Sequence, residues 1–369
     1  MSTADASTPP GEDGTRRSRR KRRRRPLWRR AGRRVFTGLV LVALLVATYY
    51  VGLVAYADNS VARADVLRPF GPEIVAPEAQ QEAANFLVVG SDPAGPDTVM
   101  LAHIGPDDAQ SVALVFPADA YVDVPACTDP DGDPVEPYGG AFTTVFDTGG
   151  AACLVRTVQA LTGLRVAHYV ELDLARFPGM VDALGGVPLC LDAALQDPAT
   201  GLDLPAGTSL IDGDQTLPFL RLESEQGAAE TERIRRQQQF LGSVVDRALS
   251  GRTVADPVRL TGFLTGTAAA LTLDPETSLR DLRSLAGLLT DLGSATVPLL
   301  TAPIADPDYQ PSTGGPHYAL LDDQLGRQLY RSIVEQTGLA VPRGGANAEE
   351  ATRASEAAQS AVSGAIGCG

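Results

Sequence analysis

Asn85-Phe-Leu-Val-Val-Gly-Ser-Asp92 is the stretch on which the fold turns. Its unbroken apolar run, closed by glycine and polar residues, reads as a strand buried on both faces. The following Ser91-Asp-Pro-Ala-Gly-Pro-Asp97 is rich in turn formers and predicts a loop at that strand's C-terminal end. Thr98 to Ile104 and Ser111 to Phe116 read as the next two strands, and Pro125 to Gly140 as a loop dense in Pro, Gly and Asp. Gly149-Gly150 then introduces a helix over Ala151 to Leu161. Val166 to Leu174 reads as a strand, Arg176 to Leu184 as a helix and Val187 to Leu191 as a strand. Strands alternating with helices predict a layered α/β domain around a largely buried sheet. Asp212 to Leu220 predicts a short helix and Thr231 to Leu249 a long one. Further helices are expected near 257–271, 276–291 and 320–337, with a strand at Ala295 to Leu300.

Upstream of this domain the charge is segregated. Thirteen of the 31 Lys and Arg residues, but only three of the 45 acids, fall within the first 34 positions. Val35 to Ala57 carries no charge, and the remainder holds 18 basic and 42 acidic residues. Lys21 is the only lysine in the chain. At about 1.5 Å per residue, the uncharged run spans the roughly 30 Å hydrocarbon layer of a bilayer. It is longer than the apolar region of a signal peptide. Arginines on its N-terminal flank predict a cytoplasmic N-terminus and an extracytoplasmic main domain. The expected organisation is a basic cytoplasmic tail (1–34), a transmembrane helix (35–57), a stalk (58–84), an extracytoplasmic domain (85–340) and a disordered tail (341–369). The basic tail abuts the helix and has no fold of its own. It reads as a topology signal touching anionic headgroups, not as a nucleic-acid binder.

An extracytoplasmic domain can retain disulfides. Cys127 and Cys153 flank the Pro/Gly/Asp-rich loop and are the expected pair. Cys190, in a strand-like run, is expected to be a buried free thiol, and Cys368 lies in the tail.

Two stretches carry candidate chemistry. Asp92 and Asp97 sit at a strand's C-terminal end, where layered α/β folds bind ligands. Two carboxylates there suit Mg²⁺, a hard cation that shares its ligands with phosphate; ordinary turn residues are the alternative. In Glu230-Thr-Glu-Arg-Ile-Arg-Arg-Gln-Gln-Gln-Phe-Leu241, Arg233, Arg236 and Gln237 share a helical stripe with Phe240 and Val244, so they point inward with the apolar face. Inward guanidinium groups need an anion, whether a phosphate or the domain's own carboxylates, and Arg221 is placed to join them.

These stretches, in this order behind a membrane anchor, resemble the LytR-CpsA-Psr family of cell-wall proteins. The resemblance also rests on Asp97-Thr-Val-Met100, Val115-Phe-Pro-Ala-Asp-Ala-Tyr-Val-Asp-Val-Pro125, Gly149-Gly150, His168-Tyr-Val-Glu171 and Val181-Asp-Ala-Leu-Gly-Gly-Val187. It runs from Asn85 to about Leu249 and more faintly to about Gly338. It implies a three-layer α/β/α sandwich with a central mixed sheet. It also implies transfer of a glycopolymer from a polyprenyl-pyrophosphate carrier onto peptidoglycan, with Mg²⁺ and arginines neutralising the pyrophosphate. Carried over by position, the implied catalytic residues are Asp97, Arg221, Arg233, Arg236 and Gln237, and the implied metal ligands are Asp92 and Asp97. The chain departs from the family pattern in four places. Gly95-Pro-Asp-Thr98 stands where Arg-Ser-Asp-Thr is usual, and Ala118 stands where an arginine is usual. Ala141-Phe-Thr143 stands where a Lys-Ile-Asn run is usual shortly before Gly149-Gly150, and Glu223 reverses the second charge of a usual Arg-x-Arg at Arg221-Leu-Glu223. Those losses keep a second reading open, a non-catalytic relative that binds the polyprenyl lipid or scaffolds active enzymes.

Overall fold

The computed structural model describes residues 25–335 except 69, 93–94, 107–109, 192–193, 223–238, 241, 293–296 and 313. It divides into two compact units, one ending at Leu53 and the other starting at Val54. Helix α1 (Arg25–Ser60) contains a segment, Gly32–Ser60, long and apolar enough to cross a membrane. Its apolar side chains are exposed along most of its length, as a lipid-facing helix requires.

The second unit is built on a seven-stranded mixed sheet. Its strands are β1 (Ala62–Arg63), β2 (Ala84–Asp92), β3 (Gly95–Ile104), β4 (Val112–Phe116), β5 (His168–Asp173), β6 (Leu271–Leu273) and β7 (Leu299–Thr301), in the order β1-β6-β5-β2-β3-β4-β7. The neighbours β2 and β5 are parallel, while β2, β3 and β4 form an antiparallel meander. Alternation along β2 feeds two cores. Leu87 and Val89 pack with Leu154, Val155 and Val158 of α2 (Phe142–Thr162) and Leu329 and Ile333 of α7 (Asp323–Glu335). Phe86 packs on the opposite face with Leu285 and Leu288 of α6 (Leu279–Thr290). Helices therefore cover both faces of a buried sheet, which is why its central strands read as continuous apolar runs. The result is the expected three-layer α/β/α arrangement.

A third core lies against α3 (Phe177–Ala183), α4 (Gly213–Arg221) and the short strands Val187–Leu191, Leu202–Leu204 and Gly207–Ile211. Helix α5 (Pro257–Ala270) joins it through Phe263. Gly266 of α5 faces the Met180 backbone, where a Cβ would make an ordinary van der Waals contact, 3.5 Å from the Met180 Cα.

Several expectations need correction. Residues 58–84 are not a free stalk. Helix α1 runs to Ser60, and β1 then joins the sheet edge through β6. Arg63 donates to the Asp274 and Thr277 carbonyls and pairs with Asp58 at 2.8 Å. Gln80, buried, donates to the Val75 and Gly163 carbonyls and accepts from the Arg165 amide, so the segment is wrapped onto the domain. The helix expected from Ala151 begins at Phe142, with a break at Gly150, where φ is 63° and ψ is −165°. Gly150 supplies a conformation that residues with a Cβ adopt at a cost, and this hid the first helical half from the sequence pattern. Cys127 is bonded to Cys153, as expected. Cys190 is not a free thiol: it is half-buried and disulfide-bonded. The expected long helix is described only over its last turns, to Leu249, and most of the basic tail and all of the C-terminal tail lie outside the described residues.

Candidate functional site

The chemistry gathers at the C-terminal edge of the parallel pair β2 and β5. The loop expected at Ser91 to Asp97 is instead the end of the β2–β3 hairpin, with Ser91 opposite Pro96 and Asp92 opposite Gly95. The register shifts between Gly90, which faces Thr98, and Ser91, which leaves Asp97 as the extra residue of a β-bulge. A bulge turns its unpaired residue away from the ladder. Asp97 is exposed as a result.

Asp92, the last residue of β2, meets Arg221 of the last turn of α4. Arg221 Nη2 lies 2.7 Å from Asp92 Oδ2, across 129 residues of sequence. The Asp92 side chain is 22% exposed and that of Arg221 49%. Helix α4 is held in register by its N-terminus, where Asp212 and Gln215 form a reciprocal capping box and Asp182 accepts from the Gly213 amide at 2.7 Å. The structure brings Asp92 and Arg221 into contact, and Asp97 stands exposed at the adjoining bulge. Arg233, Arg236 and Gln237 lie outside the described residues.

Behind Asp92 the strand end is fastened by Glu171 of β5. Its carboxylate accepts from Ser91 Oγ at 2.7 Å and from the Tyr169 hydroxyl at 2.9 Å. Burial, and then the Glu171 charge, push the Tyr169 hydroxyl far above its usual range, so it remains a donor. On the next residue pair, Asp173 faces Ser91 and holds Arg176 at 3.0 Å, while the Leu174 amide donates to the Ser91 carbonyl.

Asp147 was not singled out from the sequence. A Cβ on Gly95 would lie 3.3 Å from its Oδ1, and Gly95 adopts φ 115°. The position where the family usually carries arginine thus has a backbone that disfavours any side chain, and a carboxylate occupies the neighbouring space. Its only sequence signal was its place two residues ahead of Gly149-Gly150. Among the described residues this edge holds Asp92, Asp97, Asp147 and Asp173 against Arg221 and Arg176. No group of three acids, histidines or cysteines among the described residues converges as a metal cage. The donor set of Asp92 and Asp97 still fits Mg²⁺, which is commonly held by one or two carboxylates with phosphate and water completing its octahedron.

A sequence model of the LytR_cpsA_psr family matches residues 52–325. The chain belongs to that family. Relatives of this LytR_cpsA_psr protein include the probable cell wall biosynthesis protein LcpB of Corynebacterium glutamicum, 30% identical over 242 residues, 64% of this chain and 53% of that protein. LcpA of the same organism is 27% identical over 228 residues, 58% of this chain and 43% of that protein. The chain thus spans about half the length of these two relatives. The polyisoprenyl-teichoic acid–peptidoglycan teichoic acid transferase TagU of Oceanobacillus iheyensis is 25% identical over 324 residues, 85% of this chain and 94% of that protein. Among solved structures, Lin1025 of Listeria innocua superposes with TM-score 0.50 at 18% identity, covering 71% of this chain and all of that one. The likeness to gbs0355 of Streptococcus agalactiae has TM-score 0.50 at 17% identity over 70% and 88% of the two chains. Both show the same fold.

Proposed function

We propose that this LytR_cpsA_psr protein is a Mg²⁺-dependent phosphotransferase, moving a glycopolymer from a polyprenyl-pyrophosphate carrier onto peptidoglycan at the outer face of the membrane. The observation that carries the reading is the meeting of Asp92 and Arg221 at the sheet's C-terminal edge, beside the Asp97 bulge. The name of TagU as a polyisoprenyl-teichoic acid–peptidoglycan transferase supports the class of donor and acceptor. Helix α1 supplies the anchor, with the arginine-rich end in the cytoplasm.

On this reading an acceptor hydroxyl attacks the sugar-linked phosphorus, and its proton ends on the departing polyprenyl phosphate. A new O–P bond forms, and the anhydride bond to the departing polyprenyl phosphate breaks. Such chemistry relies on positioning and on neutralising charge. Asp92 and Asp97 would hold the metal, which supplies positive charge to the phosphoryl oxygens. Arg221 sits within reach of the same space and exchanges its Asp92 contact for the pyrophosphate. An exposed ion pair contributes only about 0–1 kcal/mol, so that exchange is inexpensive. Arg233, Arg236 and Gln237 are assigned to the remaining charge. The acidic balance of the described edge is the reason a divalent cation is required here. Helix α5, apolar and half-exposed along Leu260 to Thr267, offers a surface for the polyprenyl chain.

Arg221→Ala tests the assignment through binding. Each charge-assisted contact contributes about 1.5–3 kcal/mol, so affinity for geranyl pyrophosphate in Mg²⁺ buffer is expected to fall about 10- to 100-fold. Calorimetry with the purified chain reads it, and unchanged affinity would remove Arg221 from the site. A second reading is favoured by one observation, the strained, side-chain-free Gly95 in place of an arginine. It makes the protein a lipid-binding relative that does not turn over, and its signature is binding without transfer.

A further inference from the structure

A four-stranded sheet, separate from the central one, joins Ile304–Tyr309, Tyr318–Leu321, Ala120–Val124 and Tyr138–Ala141 in that order. Its inner face is core: Ala120, Val122, Val124 and Leu321 are buried in the cluster beneath α2 and α7. Alternation sends Tyr121, Asp123, Tyr318 and Leu320 to the other face. There the rings gather. The Tyr121 centroid lies 5.4 Å from that of Tyr309 and 5.3 Å from that of Tyr318, on strands contributed from two distant parts of the chain. All three tyrosines are only half-buried.

Gly139, directly across the ladder from Asp123, has no side chain to cover this shelf. A Cβ there would stand 2.1 Å from the Tyr121 hydroxyl oxygen, so the ring lies flat across the neighbouring strand because that strand has glycine. Asp123 and Asp306 border the rings and are exposed. At the end of the hairpin His317 is held between Asp308 and the Gln310 amide. The four strands and residues 310–317 contain no lysine or arginine.

We infer that this face binds a neutral saccharide chain, the glycan backbone of the peptidoglycan acceptor. Tyrosine offers a rigid ring face for the C–H surface of a pyranose and a hydroxyl for its polar rim, at low cost in side-chain entropy. Carboxylate, amide and imidazole groups around the rings match sugar hydroxyls. The charge selects among occupants. An acidic shelf whose own strands and hairpin carry no lysine or arginine disfavours a phosphate-bearing polymer. It also repels a second copy of a domain that itself carries 42 acids against 18 basic residues beyond position 34. The proposed transfer reaction enters only in naming peptidoglycan as the source of the sugar; the recognition chemistry stands without it.

The test is co-sedimentation of the full-length protein, in detergent, with insoluble peptidoglycan stripped of other polymers, with soluble teichoic acid as the competing source. Binding to the stripped peptidoglycan, undisturbed by teichoic acid, is the expected result. Tyr121→Ala should weaken it about tenfold or more. Gly139→Ala, which keeps the tyrosine but displaces its ring, should do the same with an unchanged melting temperature. Neither variant should alter affinity for geranyl pyrophosphate. Wild-type protein that ignores peptidoglycan, prefers teichoic acid or self-associates through this face would overturn the inference, as would full binding by both folded variants. Protein that binds peptidoglycan but transfers nothing would leave the inference intact and defeat the transferase reading instead.

Discussion

Asp97→Ala is expected to lower turnover of a polyprenyl-pyrophosphate substrate by about 10²–10³, the scale seen when one preorganised charge-stabilising group is removed from an active site. The protein itself should be almost undisturbed. Asp97 is exposed and occupies the unpaired position of a β-bulge, so the substitution leaves the ladder on both sides intact. Surface changes of this kind stay within about 0.5 kcal/mol. The separation of the two effects is the informative part. A variant that melts with the wild type yet has lost turnover places Asp97 in the chemistry, and the Mg²⁺ concentration needed for half-maximal rate should rise with it. Steady-state kinetics beside a thermal melt measures both, and a folded Asp97→Ala variant with wild-type rate would remove the bulge from the site.

Reduction of the Cys127–Cys153 bond, or its removal by a paired Cys127→Ser and Cys153→Ser change, should have the largest effect on stability. The bond closes a separation of 26 residues. Chain-entropy reasoning gives about 3–4 kcal/mol for a loop of that size. For a domain of this length that corresponds to a fall of roughly 10 °C in melting temperature. The bond clamps the hairpin of Cys127–Thr128 and Pro134–Val135 onto α2 just beyond the Gly150 break. It is packed so tightly that a Cβ on Gly149 would stand 2.1 Å from Cys153 Sγ. The first half of α2 carries Asp147 to the Gly95 edge, so loss of the clamp should also loosen the site. Calorimetric melts of the wild type and the double-serine variant measure the effect apart from the Cys190 bond, which a reductant would also open, and an unchanged midpoint would contradict it.

The central layers of this fold were legible because burial on both faces writes itself into composition. Phe86 to Val89 needs no period to be read as a strand. Helices α5 and α6 were also read nearly to their ends, and the structure shows the caps that fix them: Asp256 before Pro257, and Ser278 with Asp281. What was missed depends on partners remote in sequence. The two residues of β1 are a strand only because β6 stands beside them. Leu320 and Leu321, read as the start of a helix, instead end the strand Tyr318–Leu321, which pairs with Ala120 and Tyr121 nearly 200 residues earlier. The candidate site divides in the same way. Asp92 and Arg221 were readable as chemistry-bearing residue types, and the structure adds their contact. The bulge that exposes Asp97, and the positive φ that keeps Gly95 free of a side chain, are backbone events without a composition of their own. Asp147 reaches the edge only because α2 begins nine residues before Ala151.

The most direct measurement is transfer by the purified full-length protein, reconstituted in a bilayer. It would be supplied with a polyprenyl-pyrophosphate-linked glycopolymer and peptidoglycan, with and without Mg²⁺, and the peptidoglycan product read by mass spectrometry. The expected result is a phosphodiester-linked product and released polyprenyl phosphate, formed only with the cation. Tight binding of the donor with no product under either condition would contradict the account and leave a lipid-holding relative.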